Sequence, residues 1–165
     1  MIDIGDHAPE FKLPKAGGEA HNDIEPFELS TALGGGPIVL AFFPAAFTSG
    51  CTAEMCTFRD SMDRFEDLDA AVYGISVDLP PAQNVWIREE TLNFPMLSDW
   101  NHDVIHDYGV VLHEMYGQFE AAQRSIFVLD ETGRVTYRWV ADEGTIDFGA
   151  VVDEVATAVE ETANG

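Results

Sequence analysis

The stretch Phe42-Phe43-Pro44-Ala45-Ala46-Phe47-Thr48-Ser49-Gly50-Cys51-Thr52-Ala53-Glu54-Met55-Cys56-Thr57-Phe58-Arg59-Asp60 reads as the end of a buried strand, a polar turn, and a helix that begins near Cys51. The run Ile38-Val39-Leu40-Ala41-Phe42-Phe43 is short, apolar and bounded by Pro37 and Pro44. That is the pattern of a strand buried on both faces. Beyond the turn, Met55, Phe58, Met62, Phe65 and Leu68 recur at a three-to-four spacing, which predicts a helix over 51–68. A thiol in the first turn of such a helix faces unpaired backbone N–H groups and the positive end of the dipole, and both favour its thiolate. Cys51 is therefore a candidate reactive thiol on local grounds alone.

Working outward, 71–77 reads as a second strand. A helix over 81–92 follows, with proline near its first turn, then a short extended piece at 94–97. A short helix over 103–108 is closed by Gly109. Residues 125–129 and 135–140 are β-rich runs around Asp130-Glu131-Thr132-Gly133-Arg134, a hairpin signal. An amphipathic helix over 147–161, capped by Asp147, ends the pattern. Residues 1–36 read as turn-rich, broken by Gly17-Gly18, Pro26 and Gly34-Gly35-Gly36-Pro37. No repeat or linker divides the chain, so one domain over 1–165 is expected. Early β-α-β units favour parallel pairing and the hairpin adds an antiparallel edge. The expected class is α/β: a mixed central sheet with helices on both faces, as in the thioredoxin arrangement.

Thirty acidic residues against eight basic ones give a formal charge of −22, and Lys12 and Lys15 are the only lysines. Such a field repels nucleic acid and anionic membranes, so neither is expected as a partner. No apolar run approaches the ~20 residues that span a bilayer. Met1-Ile2-Asp3-Ile4-Gly5-Asp6 has no basic region followed by an apolar core, so a cytoplasmic location is expected. Self-repulsion is screened when the Debye length falls to roughly 3 Å at molar salt. We read the acidity as adaptation to a salty cytoplasm. Two cysteines in such a compartment do not form a structural disulfide framework; buried hydrophobe, metal ligand and reactive thiol are the open alternatives.

Pro44-x-x-x-Thr48-x-x-Cys51 resembles the active-site motif of the peroxiredoxins, with Glu54 where that family often has a glutamate. Arg124-Ser125-Ile126-Phe127-Val128-Leu129 is similar to the family's arginine strand, and Gly5-Asp6-His7-Ala8-Pro9-Glu10-Phe11 to its usual start. The resemblance implies a thioredoxin fold with an N-terminal extension and a thiol-dependent reduction of hydrogen peroxide and organic hydroperoxides, without a cofactor. It implies a role for each residue. Cys51 attacks the peroxide and becomes a sulfenic acid. Thr48 hydrogen-bonds the thiolate and the peroxide oxygen. Arg124 stabilises the thiolate and the charge developing in O–O cleavage, Pro44 shields the sulfur, and Glu54 holds Thr48 or Arg124 in place. Read without the family, Thr48 is a candidate helix cap and Arg124 a surface charge opening a strand.

Cys56 lies five residues beyond Cys51, a spacing that resembles the bacterioferritin-comigratory (Q-type) branch, where the second cysteine resolves the first within one chain. The Phe-Phe-Pro-Ala-Ala-Phe-Thr lead-in is closer to the alkyl-hydroperoxide-reductase-E-like branch, whose members work with one cysteine and an external thiol. On a helix, five residues separate the two Cα atoms by roughly 8.7 Å. A disulfide spans at most ~7 Å, so resolution requires that turn to unwind. Cys56 as a core-filling residue is the alternative. A thioredoxin-like or glutaredoxin-like reductant, and a monomer or homodimer, follow from the resemblance. A general thiol–disulfide oxidoreductase is the rival on this fold, but it wants Cys-x-x-Cys, which is absent. His102 and His106, at i, i+4 with His113 nearby, raise a metal-binding module as a rival; we read them as structural or surface histidines and expect no metal.

Overall fold

The computed structural model describes residues 1–142 and 144–165. In chain order the elements are β1 (Lys12–Ala16), β2 (Ile24–Glu28), α1 (Leu29–Ala32), β3 (Ile38–Phe42), α2 (Ser49–Asp60), α3 (Met62–Asp67), β4 (Ala71–Ser76), α4 (Pro80–Glu89), β5 (Met96–Ser98), α5 (Asp103–Tyr108), β6 (Val111–Met115), β7 (Phe119–Ala122), β8 (Ser125–Leu129), β9 (Val135–Val140) and α6 (Phe148–Asn164). The seven-stranded sheet runs β2-β1-β5-β4-β3-β8-β9, and β6-β7 forms a separate hairpin.

Every residue of β3 is buried, and alternation along it serves two cores. Val39 and Ala41 pack with Met55 and Phe58 of α2, Trp86 of α4 and Val152 and Val155 of α6. Ile38, Leu40 and Phe42 face the opposite layer with Val104, Ile105 and Tyr108 of α5. β3 pairs in parallel with β4 and antiparallel with β8. This is the mixed sheet with helices on both faces that the sequence predicts. Asp147 caps α6 as expected, its carboxylate accepting from Ala150 N at 3.1 Å.

The register places the functional groups. Ser125 lies opposite Phe42, so the residue before β8, Arg124, comes to the end of β3. Ile75 lies beside Phe42, so the segment after β4 reaches the same end. The turn carrying Pro44 and Thr48 is thereby flanked on both sides by segments distant in sequence.

Three expectations change. The helix over 51–68 is two helices: the backbone leaves helical geometry at Ser61 (φ −108°, ψ 3°), where Ser61 N donates to Phe58 O. The apolar spacing continues across the break because α3 packs on the same core, so periodicity does not register a one-residue kink. Residues 1–36 hold β1, β2 and α1 as well as turns. Pro14 and Pro26 face one another across β1 and β2; Pro26 is tolerated because β2 is an edge, and Pro14 because β1 pairs with β5 only at Lys15 and Ala16. The connection after α5 holds the β6-β7 hairpin.

Candidate active site

α2 begins at Ser49, two residues before Cys51, so the thiol sits in the first turn. Thr48 occupies the cap position in extended geometry, and its carbonyl accepts from Thr52 N at 2.9 Å. Its hydroxyl does not cap the helix; it donates to Ala45 O at 2.8 Å. The expected hydrogen bond from Thr48 to the Cys51 sulfur is therefore not made in this state, because a hydroxyl has one proton and Ala45 takes it. Pro44 starts the turn, half-buried, and Phe47 within it adopts φ 68° with its ring exposed and 6.3 Å from that of Trp86. A non-glycine residue in the left-handed region is strained, and here the strain lies in the turn leading to Cys51.

Cys51 is fully buried, and both cysteines are free thiols. Arg124 Nη2 donates to Cys51 Sγ at 3.2 Å, while Nη1 donates to Glu54 Oε1 at 2.9 Å. One guanidinium thus bridges the thiol and a wholly buried carboxyl one turn further along α2. Two further residues shape its surroundings, one by contact and one by leaving room, and neither was apparent from the sequence. The Phe148 ring of α6 lies under the guanidinium, 5.6 Å from its carbon, and a Cβ on Gly50 would come within 3.3 Å of Nη2. A glycine two residues from the cap of a helix, just before a cysteine, is the signal that could have pointed to close approach.

Burial pushes the Glu54 carboxyl up from its ordinary 4.5 to about 7, against the pull of Arg124. Its Oε2 has no hydrogen-bond partner among the described residues. Because the folded-state value lies above the unfolded one, the folded protein binds the extra proton between those limits. Ionisation of Glu54 then erodes stability as pH rises from about 4.5 through about 7. Glu54→Gln, which cannot ionise, is expected to gain stability relative to wild type across that window. Urea unfolding at the two ends of the window tests this, and parallel pH dependence of the two proteins would contradict it.

Cys56 lies on the same helix, half-buried, with its Sγ 3.6 Å from Glu90 Oε2 at the C-terminal end of α4. Burial pushes its thiol up; Arg59 opposes this and the Glu90 hydrogen bond reinforces it. α2 runs unbroken through both cysteines, so they stand apart at helical spacing. His102, His106 and His113 gather around the Glu120 carboxylate, at 3.4, 2.9 and 4.0 Å. Among the described residues, no group of three or more His, Cys, Asp or Glu side chains is placed to hold a metal ion. No described helix is long and apolar enough to cross a membrane.

A buried thiol in a helix's first turn, with a guanidinium against it, is suited to two-electron sulfur chemistry. Comparison with known proteins agrees. Residues 4–138 match the AhpC/TSA family model. The chain is 33% identical over 138 residues to peroxiredoxin Bcp of Escherichia coli strain K12, covering 82% of this chain and 84% of that one. It is 31% identical over 147 residues to alkyl hydroperoxide reductase E of Mycobacterium tuberculosis strain H37Rv, covering 88% and 90%. The crystal structure of peroxidoxin BcpB from Mycobacterium tuberculosis superposes with a TM-score of 0.84 at 30% identity, covering 98% of both chains. On these matches the chain belongs to the AhpC/TSA family, as a peroxiredoxin of the bacterioferritin-comigratory or alkyl-hydroperoxide-reductase-E-like branch: a thiol-dependent hydroperoxide reductase.

Proposed function

We propose that Cys51 is the thiolate that reduces the peroxide, that Arg124, Thr48 and Pro44 prepare its attack, and that Cys56 of the same chain resolves the product. The observation that carries this reading is the 3.2 Å contact from Arg124 Nη2 to Cys51 Sγ in the first turn of α2. The Cys51 thiolate attacks the terminal peroxide oxygen. An S–O bond forms, the O–O bond breaks, and the departing alkoxide or hydroxide takes up a proton and leaves as alcohol or water. Arg124 is a fixed cation beside the charge that moves, so no reorganisation is needed as the bond breaks. Glu54 and Phe148 hold the guanidinium, and Pro44 limits water at the turn.

The Cys51 sulfenic acid is then attacked by Cys56. The S–S bond forms, the S–O bond breaks, and the thiol proton leaves with the hydroxyl as water. The roughly 8.7 Å helical separation of the two Cα atoms exceeds disulfide reach, so the turn of α2 between them unwinds first. Unwinding also carries Cys56 away from Glu90, the carboxylate that disfavours its thiolate. A thioredoxin-like or glutaredoxin-like dithiol supplies the two electrons that return both thiols. The chain works as one domain over 1–165, as a monomer or homodimer in the cytoplasm.

The Cys56–Glu90 contact also favours a second reading, in which Cys56 stays docked and an external thiol reduces Cys51 directly. Thiol titration after one equivalent of peroxide separates them. Loss of both thiols within one chain supports resolution by Cys56. A persistent sulfenate with Cys56 still titrating supports the external thiol.

The acidity carries a separate expectation. With a formal charge of −22, the urea midpoint should rise between about 0.1 M and about 2 M potassium chloride as repulsion is screened. A midpoint indifferent to salt would overturn the salt-adaptation reading.

A further inference from the structure

The turn before Cys51 is gripped at one peptide. Ala46 N–H donates to Asp78 Oδ2 at 2.9 Å, and Ala45 C=O accepts from the Thr48 hydroxyl at 2.8 Å. These are the two ends of the same peptide group, and in a trans peptide they point in opposite directions. Asp78 therefore holds one side of the 45–46 peptide, and Thr48 leans on the other.

Asp78 is itself held. Ser76 Oγ donates to the same Oδ2 at 2.6 Å, and Ser98 Oγ donates to the Asp78 carbonyl at 2.7 Å. Gln83, wholly buried, donates from Nε2 to both Ser76 Oγ (3.0 Å) and Leu97 O (2.9 Å). The carboxylate thus stands on a polar network rooted in β4, α4 and β5, under a turn strained at Phe47.

We propose that Asp78 is a positioning residue of the peroxide-reducing site, acting through the 45–46 peptide to set the Thr48 hydroxyl as a hydrogen-bond acceptor for the incoming hydroperoxide. This rests on the reading of Thr48 as a peroxide-binding group. With its proton committed to Ala45 O, the Thr48 oxygen keeps its lone pairs for the O–H of the substrate. A carboxylate on the N–H polarises the peptide and strengthens its carbonyl as an acceptor, which keeps the hydroxyl from rotating away. The division of labour is then clear: Arg124 serves the sulfur, and Thr48, set by Asp78, serves the peroxide.

A double-mutant cycle on Cys51 oxidation by hydrogen peroxide, followed by stopped-flow fluorescence, tests the proposal with Asp78→Ala, Asp78→Asn, Thr48→Val and Asp78→Ala/Thr48→Val. Asp78→Ala should slow oxidation about tenfold, in the range of a lost positioning contact. Asp78→Asn, which keeps an oxygen for Ala46 N–H, should recover most of the rate. In the Thr48→Val background, Asp78→Ala should add little. Alkylation of Cys51 by iodoacetamide, which needs the thiolate but no peroxide-binding group, should be unchanged in all four. Independent effects of Asp78→Ala and Thr48→Val would overturn the proposal, as would an alkylation rate that falls in parallel with oxidation. Should Asp78→Ala fail to fold, the cycle is closed with Ser76→Ala, which frees the same Asp78 oxygen, and independence of Ser76→Ala and Thr48→Val overturns it equally. Thr48→Val oxidising at the wild-type rate would instead remove the reading of Thr48 on which the proposal rests.

Discussion

Cys51→Ser is expected to lose hydroperoxide reduction altogether, at least a thousandfold, while remaining folded. A hydroxyl in place of the thiol fits the same buried volume in the first turn of α2, so packing against Met55 and Phe58 persists. What disappears is the nucleophile: a serine hydroxyl ionises far less readily than a thiol and has no sulfur to accept oxygen. Cys56→Ser should behave differently, with its first oxidation at the wild-type rate and its catalytic cycle stalled at the sulfenate. Peroxide consumption in the presence of a dithiol checks both. A Cys51→Ser protein that still turns over peroxide would move the chemistry to Cys56, the remaining cysteine.

Arg124→Met carries the second large effect. The guanidinium is the only side-chain hydrogen-bond donor to the Cys51 sulfur among the described residues. Removing one preorganised donor from the charge that develops in a reaction slows it about a hundredfold to a thousandfold. The same change strips Glu54 of its partner, and a wholly buried carboxyl without one destabilises the fold by roughly 3 kcal/mol. Burial already raises Glu54, so much of that penalty is relieved by protonation at lower pH. The two losses can therefore be separated. Arg124→Met/Glu54→Gln should regain stability in urea and stay as slow as Arg124→Met in stopped-flow oxidation. Recovery of the oxidation rate with stability would mean that Arg124 acts only as a structural partner of Glu54.

Much of this site was legible because the residues that react are close in sequence. Pro44, Thr48, Cys51, Glu54 and Cys56 lie within one strand-turn-helix unit whose hydrophobic pattern is clear, and the helix start fixes which thiol is exposed to the dipole. The β8-β9 hairpin was equally plain, since Asp130 to Arg134 is a turn by composition. The arginine could be named by resemblance, and Glu54 as holding either it or Thr48, but Phe148 could not, nor the choice between Arg124 and Thr48. Phe148 reaches it from α6 and Glu54 from α2, through sheet register that the strand sequences do not encode one by one. Asp78 escaped for a similar reason: a lone aspartate after a strand reads as a turn former, and its function lies in a peptide 32 residues earlier. The N-terminal strands were hidden by Pro14 and Pro26, which count against a strand unless the edge position of β2 and the short pairing of β1 with β5 are known.

The expected role of Thr48 is where the structure changes the chemistry most. Its hydroxyl was to serve both the thiolate and the peroxide, yet its proton is already engaged with Ala45. The sulfur is left to Arg124, which makes the bridge from Cys51 to Glu54 the feature on which the peroxidase reading depends. The most direct test is to locate the oxygen. The Cys56→Ser protein, treated with one equivalent of hydrogen peroxide and a sulfenate-trapping dione, is digested and read by mass spectrometry. The adduct is expected on the peptide carrying Cys51, in near-stoichiometric yield and strongly reduced in Arg124→Met/Cys56→Ser. An unmodified Cys51, with the peroxide consumed, would contradict it.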